Sequence, residues 1–199
     1  MTIEILLFSE QFIIDPKHVG SFFPSSNYLA SKVVEEIDFN RANCIVEFGS
    51  GTGKITKKIL ELRKKDTMIL IFERNIEFYK LLLYKFKHEH NLKIIHDTAE
   101  NLERYMRKYN ITHIDYIISG IPSESLPLNE STNILYLSQK NMKQDGKFVT
   151  VLRNIRKKEL VTQYFHQTNI EHVLFNVPPA YVLSCELVDF KKGTSYDSI

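Results

Sequence analysis

Tryptophan is missing from this chain, and cysteine occurs only at positions 44 and 185. Cys44 and Cys185 each sit in an apolar, strand-like run. They read as small buried hydrophobes of a reducing compartment rather than a disulfide or a metal pair, and no metal is expected. No run of about 18 apolar residues occurs, so no segment is expected to span a bilayer. The start, Met1-Thr2-Ile3-Glu4-Ile5-Leu6-Leu7-Phe8, lacks both a basic region and a small-residue cleavage site. It does not read as a signal peptide, and a cytoplasmic protein is expected. Charge of one sign is not in excess either: 26 Lys and Arg face 24 Asp and Glu, leaving +2. So even a balance gives no reason by itself to expect nucleic acid or an anionic membrane as partner. Repeats, low-complexity tracts and linkers are absent, and 199 residues make one domain with a substantial core.

Glycine is scarce as well, yet three of the seven glycines fall in the stretch Cys44-Ile45-Val46-Glu47-Phe48-Gly49-Ser50-Gly51-Thr52-Gly53. The stretch reads as a buried strand, an acid and a glycine turn, with a helix beginning near Lys54. Glycines at such a turn allow tight dihedrals and let a ligand approach without meeting a Cβ. Dinucleotide folds of the hydride-transfer type use G-x-G-x-x-G, whose third glycine would fall where Lys54 stands. A second buried strand, Thr67 to Phe72, ends at Glu73, 22 residues beyond Gly51. A nucleoside-binding fold places there the carboxylate that accepts the ribose hydroxyls.

Glu47-Phe48-Gly49-Ser50-Gly51-Thr52-Gly53 resembles the E/D-x-G-x-G-x-G loop of class I S-adenosylmethionine (SAM) methyltransferases. The resemblance implies SAM as cofactor. It implies contacts from Glu47, Phe48, Gly49, Ser50, Gly51 and Gly53, from Glu73 and Arg74 after the second strand, and from Ser119 and Gly120 after the fourth. It further implies that Asp97, with Thr98 beside it at the end of strand 92–96, receives the adenine amine. Strands alternating with helices through residue 152 indicate a parallel sheet covered on both faces. Expected helices are 54–64, 76–89, 99–109, 129–142 and 156–168; expected strands after the second are 92–96, 114–119, 147–152, 172–177 and 181–190, with a turn at Gly146. The last two strands, joined only through Pro178-Pro179, must pair antiparallel. The expected fold is therefore α/β: a Rossmann-like, seven-stranded methyltransferase sheet, mostly parallel, with an antiparallel C-terminal hairpin strand and added N-terminal helices. Residues 1–40 would be a helical lid segment and 41–199 the Rossmann-like core.

Residues 3–14 carry Ile3, Leu6, Leu7, Phe8, Phe12, Ile13 and Ile14 at roughly helical spacing. This stripe would dock on the domain, form a homodimer surface or touch a membrane. Its acids, Glu4 and Glu10, differ from the Lys and Arg usual on a membrane-surface helix. Ser25 or Ser26 would cap the next helix, which is expected to run to about Ile37. Asp15-Pro16 with Val19-Gly20-Ser21-Phe22-Phe23-Pro24-Ser25-Ser26, then Ser119-Gly120-Ile121-Pro122, then Asn176-Val177-Pro178-Pro179-Ala180-Tyr181 together resemble the soluble bacterial phospholipid N-methyltransferases, which are similar to the rRNA adenine dimethylases. That likeness implies an amine acceptor on a phosphatidylethanolamine-like headgroup, peripheral contact with the inner face of the membrane through residues 3–14, and substrate contacts from Phe22, Phe23, Ser25, Pro122 and Tyr181. Adenine N-methylation normally uses a polar grip and a stacking ring after the fourth strand, whereas Gly120-Ile121-Pro122-Ser123 offers neither. Two other readings stay open: methylation of rRNA adenine or a small amine, and a SAM-binding module without catalysis. No residue stands out as a catalytic base, since an in-line methyl displacement mainly needs alignment and exclusion of water.

Overall fold

The computed structural model describes residues 2–15, 25–121 and 126–188. Phe22, Phe23 and Pro122 lie outside the described residues. Two helices, α1 (Thr2–Ile14) and α2 (Asn27–Val34), precede the sheet. Then follow β1 (Cys44–Phe48), α3 (Lys54–Leu62), β2 (Met68–Phe72), α4 (Ile76–Lys85), β3 (Leu92–Ile95), α5 (Leu102–Lys108) and β4 (Ile114–Ser119). The remainder is α6 (Leu128–Asn141), β5 (Met142–Leu152), the short α7 (Lys158–Thr162), β6 (Phe165–Val173) and β7 (Ala180–Leu187).

Seven strands form one sheet in the order β3-β2-β1-β4-β5-β7-β6. Strands β1 to β5 run parallel, and β7 lies antiparallel between β5 and β6. Alternate side chains of the apolar runs go to opposite faces. Val46, Phe48, Leu70, Phe72 and Ile117 enter one core, while Ile45, Ile69, Ile71, Tyr116 and Ile118 enter the other. Burial on both faces is why these strands read as unbroken hydrophobic runs. The chain moves outward one way from β1 to β3 and the other way from β4, so the order reverses between β1 and β4. In open sheets of this kind ligands bind outside the carboxyl ends of the strands at such a reversal.

The cap of α2 is as expected, Ser26 of the two candidates, whose hydroxyl accepts the Leu29 N–H at 3.0 Å. Several boundaries differ from expectation. α2 stops at Val34 rather than Ile37. The expected helix 99–109 is a 3-10 turn, Ala99–Asn101, followed by α5. Gly146 makes no turn but sits inside β5, where a Cβ would come within 2.8 Å of the Asp115 carbonyl. The largest correction is the expected helix 156–168, of which only a 3-10 turn and α7 are helical; β6 begins already at Phe165. This outer strand is half polar and its pairing with β7 is irregular between Gln167 and Asn169, which hides the two-residue period that marks a strand.

Candidate active site

The β1 strand delivers the chain into three left-handed glycines, Gly49, Gly51 and Gly53, at φ 71°, 55° and 79°. Only glycine adopts these dihedrals freely. Below the turn lies Glu47, 1% exposed, whose Oε2 accepts the Thr56 hydroxyl at 2.7 Å. Full burial pushes its carboxyl up to about 7, although the Thr56 hydrogen bond favours the charged form. The Gly120 N–H donates to the Phe48 carbonyl at 2.8 Å, and a Cβ on Gly120 would come within 2.6 Å of the Gly49 carbonyl oxygen. The loops after β1 and β4 therefore lean together, and a side chain at position 120 would force them apart.

Glu73 extends from the end of β2 across to the glycine turn. Its Oε2 accepts the Gly51 N–H at 2.8 Å and its Oε1 accepts the Asn75 N–H at 2.9 Å. Burial raises its carboxyl pKa, while these backbone N–H groups work in the opposite direction. Acceptor capacity remains on both oxygens. Asp97, after β3, accepts the Thr98 N–H and the Asn101 side-chain amide through Oδ1 and the Tyr105 hydroxyl through Oδ2. Partial burial opposes its charge, but these bonds prevail and hold its carboxyl below the ordinary aspartate range. Three bonds leave about one of its four acceptor positions open.

Helix α1 closes the site from the other side. Its Phe8 ring stacks on Phe78 with centroids 5.2 Å apart and stands 3.2 Å from where a Cβ on Gly51 would sit. Gln11 is buried and accepts the Asn75 side-chain amide at 2.8 Å. Glu4 pairs with Lys85 at 2.6 Å, and Lys85 also donates to the Thr52 carbonyl at 2.7 Å. The inward positions 4, 8, 11 and 15 are one helical face. That spacing is the available sign that α1 walls the pocket; a stripe drawn through the apolar residues alone passes over Gln11. Outward stand Leu6, Ile13 and Ile14 at 65%, 72% and 67% exposure.

A cavity of about 410 Å³ lies between these parts, within the roughly 300–1,000 Å³ of small-molecule sites. Of the residues expected at the cofactor, Gly49, Ser50, Gly51, Glu73, Arg74, Asp97, Thr98 and Gly120 line it, as does Ser25 from the substrate set. Arg74 reaches across to Glu130 at 3.2 Å. Phe8, Gln11, Asn75, Ile121, Val151 and Arg153 line it without having been expected. Glu47, Phe48, Gly53 and Ser119 do not line it. A Cβ on Gly53 would come within 2.7 Å of Leu82 and 2.8 Å of Phe86, so this glycine serves the turn and its packing on α4. Tyr181 is also elsewhere: it stacks on His172 of β6 with centroids 4.4 Å apart.

The residues present suit SAM. Two acids with acceptor capacity to spare converge on the cavity, and the turn at Gly49 and Gly51 presents no Cβ to a ligand there.

Comparison with known proteins bears on the family and the fold. A family model for ribosomal RNA adenine dimethylase matches residues 8–182. An ornithine lipid N-methyltransferase from Singulisphaera acidiphila is 27% identical over 187 residues, covering 92% of this chain and 95% of that protein. A ribosomal RNA small subunit methyltransferase A from Mycoplasma capricolum is 29% identical over 168 residues, covering 79% of this chain but only 62% of its own length. Among solved structures, the N-methyltransferase NodS from Bradyrhizobium japonicum WM9, in complex with S-adenosyl-l-homocysteine (SAH), superposes with a TM-score of 0.66 at 8% identity, over 81% of this chain and 86% of that one. This last likeness shows the fold.

Proposed function

Since the chain belongs to the ribosomal RNA adenine dimethylase family and is a SAM-dependent methyltransferase, we propose that its acceptor is the amine of a membrane lipid headgroup. The observation that carries the proposal is the two-sidedness of α1. One face, with Phe8 and Gln11, walls the cofactor cavity, while the opposite face presents Leu6 and Ile13 outward and Ile14 stands between the two. Ile14 belongs to both, lining the cavity and standing largely exposed. An acceptor held in a lipid surface would meet the cavity there without leaving the interface. The near full-length match to an ornithine lipid N-methyltransferase supports the same reading. No helix among the described residues is long and apolar enough to cross a membrane, so contact would be peripheral.

In this reading Glu73 holds the ribose hydroxyls, Asp97 the adenine amine, and the glycine turn the methionine part. When bound, SAM supplies an electrophilic methyl group on a sulfonium. The chain contributes alignment and exclusion of water. Phe8, Ile121, Leu126 and Val151 are the apolar lining that keeps water out. An incoming amine must be neutral to react, and proton loss to solvent suffices, so a dedicated base is not required.

The test is incubation with radiolabelled SAM and, in separate reactions, vesicles containing phosphatidylethanolamine, vesicles containing ornithine lipid, and unmethylated small-subunit rRNA. Label should appear in a lipid spot on thin-layer chromatography. Label confined to rRNA would overturn the lipid reading and leave the methyltransferase assignment standing.

A further inference from the structure

We infer that the turn between β6 and β7, residues 174–179, is a second membrane footing that enters an anionic lipid surface beside the cavity mouth. The inference rests on the lipid-amine reading and adds to it a site outside α1. Leu174, Phe175 and Val177 are 63%, 76% and 66% exposed, and Pro178 and Pro179 are exposed with them. Five apolar residues in six positions is an unusual surface for water alone.

The turn is stapled in place. Asn176, 2% exposed, accepts the Ser26 N–H at 2.7 Å and donates to the Pro178 carbonyl at 2.6 Å. The Ser26 hydroxyl donates to the Phe175 carbonyl at 2.8 Å, and Arg153 Nη1 donates to the Pro178 carbonyl at 3.0 Å. Tyr28 meets the Phe175 ring edge-on at 5.5 Å. The Asn176 side chain and the Phe175 and Pro178 carbonyls are thus engaged with the protein, and apolar side chains are what the turn offers outward.

Position and charge name the occupant. The turn connects Val173 to Ala180, which pairs at the end of β7 nearest the carboxyl end of β5, so it lies on the sheet edge that carries the site. Ser25 and Arg153, adjoining its anchors, line the cavity; Ile14 of α1 lines it too. Arg153 is the cation at the base of the turn, whereas Lys158 is turned to Gln167 at 3.4 Å, farther down β6. The acid on the adjoining part of β6, Glu171, pairs with Lys32 at 3.2 Å. An apolar tip with the Arg153 cation at its base, next to a cavity mouth that Ile14 also lines, suits the headgroup and acyl boundary of an anionic bilayer. A protein partner would find little here, because stable interfaces use roughly 20–30 residues a side. RNA would engage Arg153 and gain nothing from Leu174 and Val177.

Because the chain has no tryptophan, Phe175→Trp and, in a separate protein, Ile13→Trp each supply the sole indole. Both are titrated with vesicles of phosphatidylcholine containing phosphatidylglycerol, with and without brominated acyl chains. The inference expects a blue shift and bromine quenching at position 175 as well as at position 13. It also expects vesicle affinity to fall at least tenfold in a Leu174→Ser, Phe175→Ser, Val177→Ser variant whose SAH affinity stays within twofold. Insertion of the indole at position 13, with the indole at position 175 left in water, overturns the second footing and keeps the lipid reading. No insertion at either position overturns both. A blue shift at position 175 that follows protein concentration without vesicles makes the turn a self-association surface and also overturns the inference.

Discussion

Replacing Glu73 by glutamine tests the cofactor geometry at its narrowest point. The carboxylate is 5% exposed and already accepts the Gly51 and Asn75 N–H groups at 2.8 and 2.9 Å. Glutamine keeps the shape but turns one oxygen into a donor, which must face either a backbone N–H or a ribose hydroxyl that also needs an acceptor. Hydrogen bonds to a charged group contribute about 1.5–3 kcal/mol, and at least one such bond is lost while the others weaken to neutral strength. SAH affinity measured by titration calorimetry should therefore fall at least tenfold, since tenfold corresponds to about 1.4 kcal/mol. Glu73→Ala should lose more, because it also frees the Gly51 N–H and with it the glycine turn. The charged form is the one that accepts hydroxyls, and burial raises the Glu73 pKa. Wild-type affinity should accordingly increase as pH rises through that carboxyl's range, and the glutamine variant should lack this slope. A Glu73→Gln protein that binds SAH within twofold of wild type would refute the ribose role and leave the acid as a brace for the turn.

Gly53→Ala should lower stability by about 2 kcal/mol or more, a drop of roughly 4–8 °C in Tm, because φ is 79° and the new Cβ would meet Leu82 and Phe86; unchanged calorimetric melting would contradict the packing. Glu47, raised to about 7 against an ordinary 4.5, binds its proton more tightly when folded, so its stabilisation is complete below pH 4.5 and lost as pH rises through 7. The stability difference between wild type and Glu47→Gln, from urea unfolding, should shift by up to about 3 kcal/mol across that interval, at about 1.4 per pH decade; parallel curves would argue against it. Burial pushes both thiols up to about 12, so Cys44 and Cys185 should react with Ellman's reagent only as the protein unfolds; fast labelling of either in the native state would contradict their burial. Leu6→Ser with Ile13→Ser should weaken vesicle binding at least tenfold, each exposed aliphatic being worth about 1.5–3 kcal/mol on burial, while SAH affinity holds; equal sedimentation would remove α1 from the lipid contact.

The parts of the fold that can be read in the sequence are those fixed by local chemistry. The runs ending at Phe48, Phe72 and Ser119 are buried on both faces, which leaves an unmistakable apolar signature. The glycine turn is equally plain, because three left-handed residues in five positions leave few other choices. What cannot be read is decided by distant partners. β6 is edge strand rather than helix because β7 supplies its ladder, and no window of its own sequence contains that fact. The chain neighbours of Tyr181 suggest a place at the substrate end, but alternation along β7 turns its ring toward His172. Glu73 is legible by spacing from Gly51, while its hydrogen bond to the Gly51 N–H depends on how β1 and β2 pair.

The acids of α1 illustrate how tertiary placement changes the meaning of a sequence pattern. Read as an isolated helix, Glu4 and Glu10 speak against a membrane surface, where Lys and Arg are usual. In the fold Glu4 is turned inward to Lys85, which in turn holds the Thr52 carbonyl of the glycine turn. That charge belongs to the pocket wall, which leaves Glu10, exposed on the same face as Leu6 and Ile13, as the acid of the outer face. The cation that stands beside the β6–β7 turn is Arg153, while Lys158 is turned to Gln167 farther down β6. The same arrangement decides how the helix can be probed. Removing residues 1–14 would take away Phe8 and Gln11 along with Leu6 and Ile13, stripping the cofactor cavity of one wall and leaving Lys85 without Glu4. A loss of activity after truncation would then report cofactor binding and lipid contact together, whereas substitutions confined to the outer face separate them.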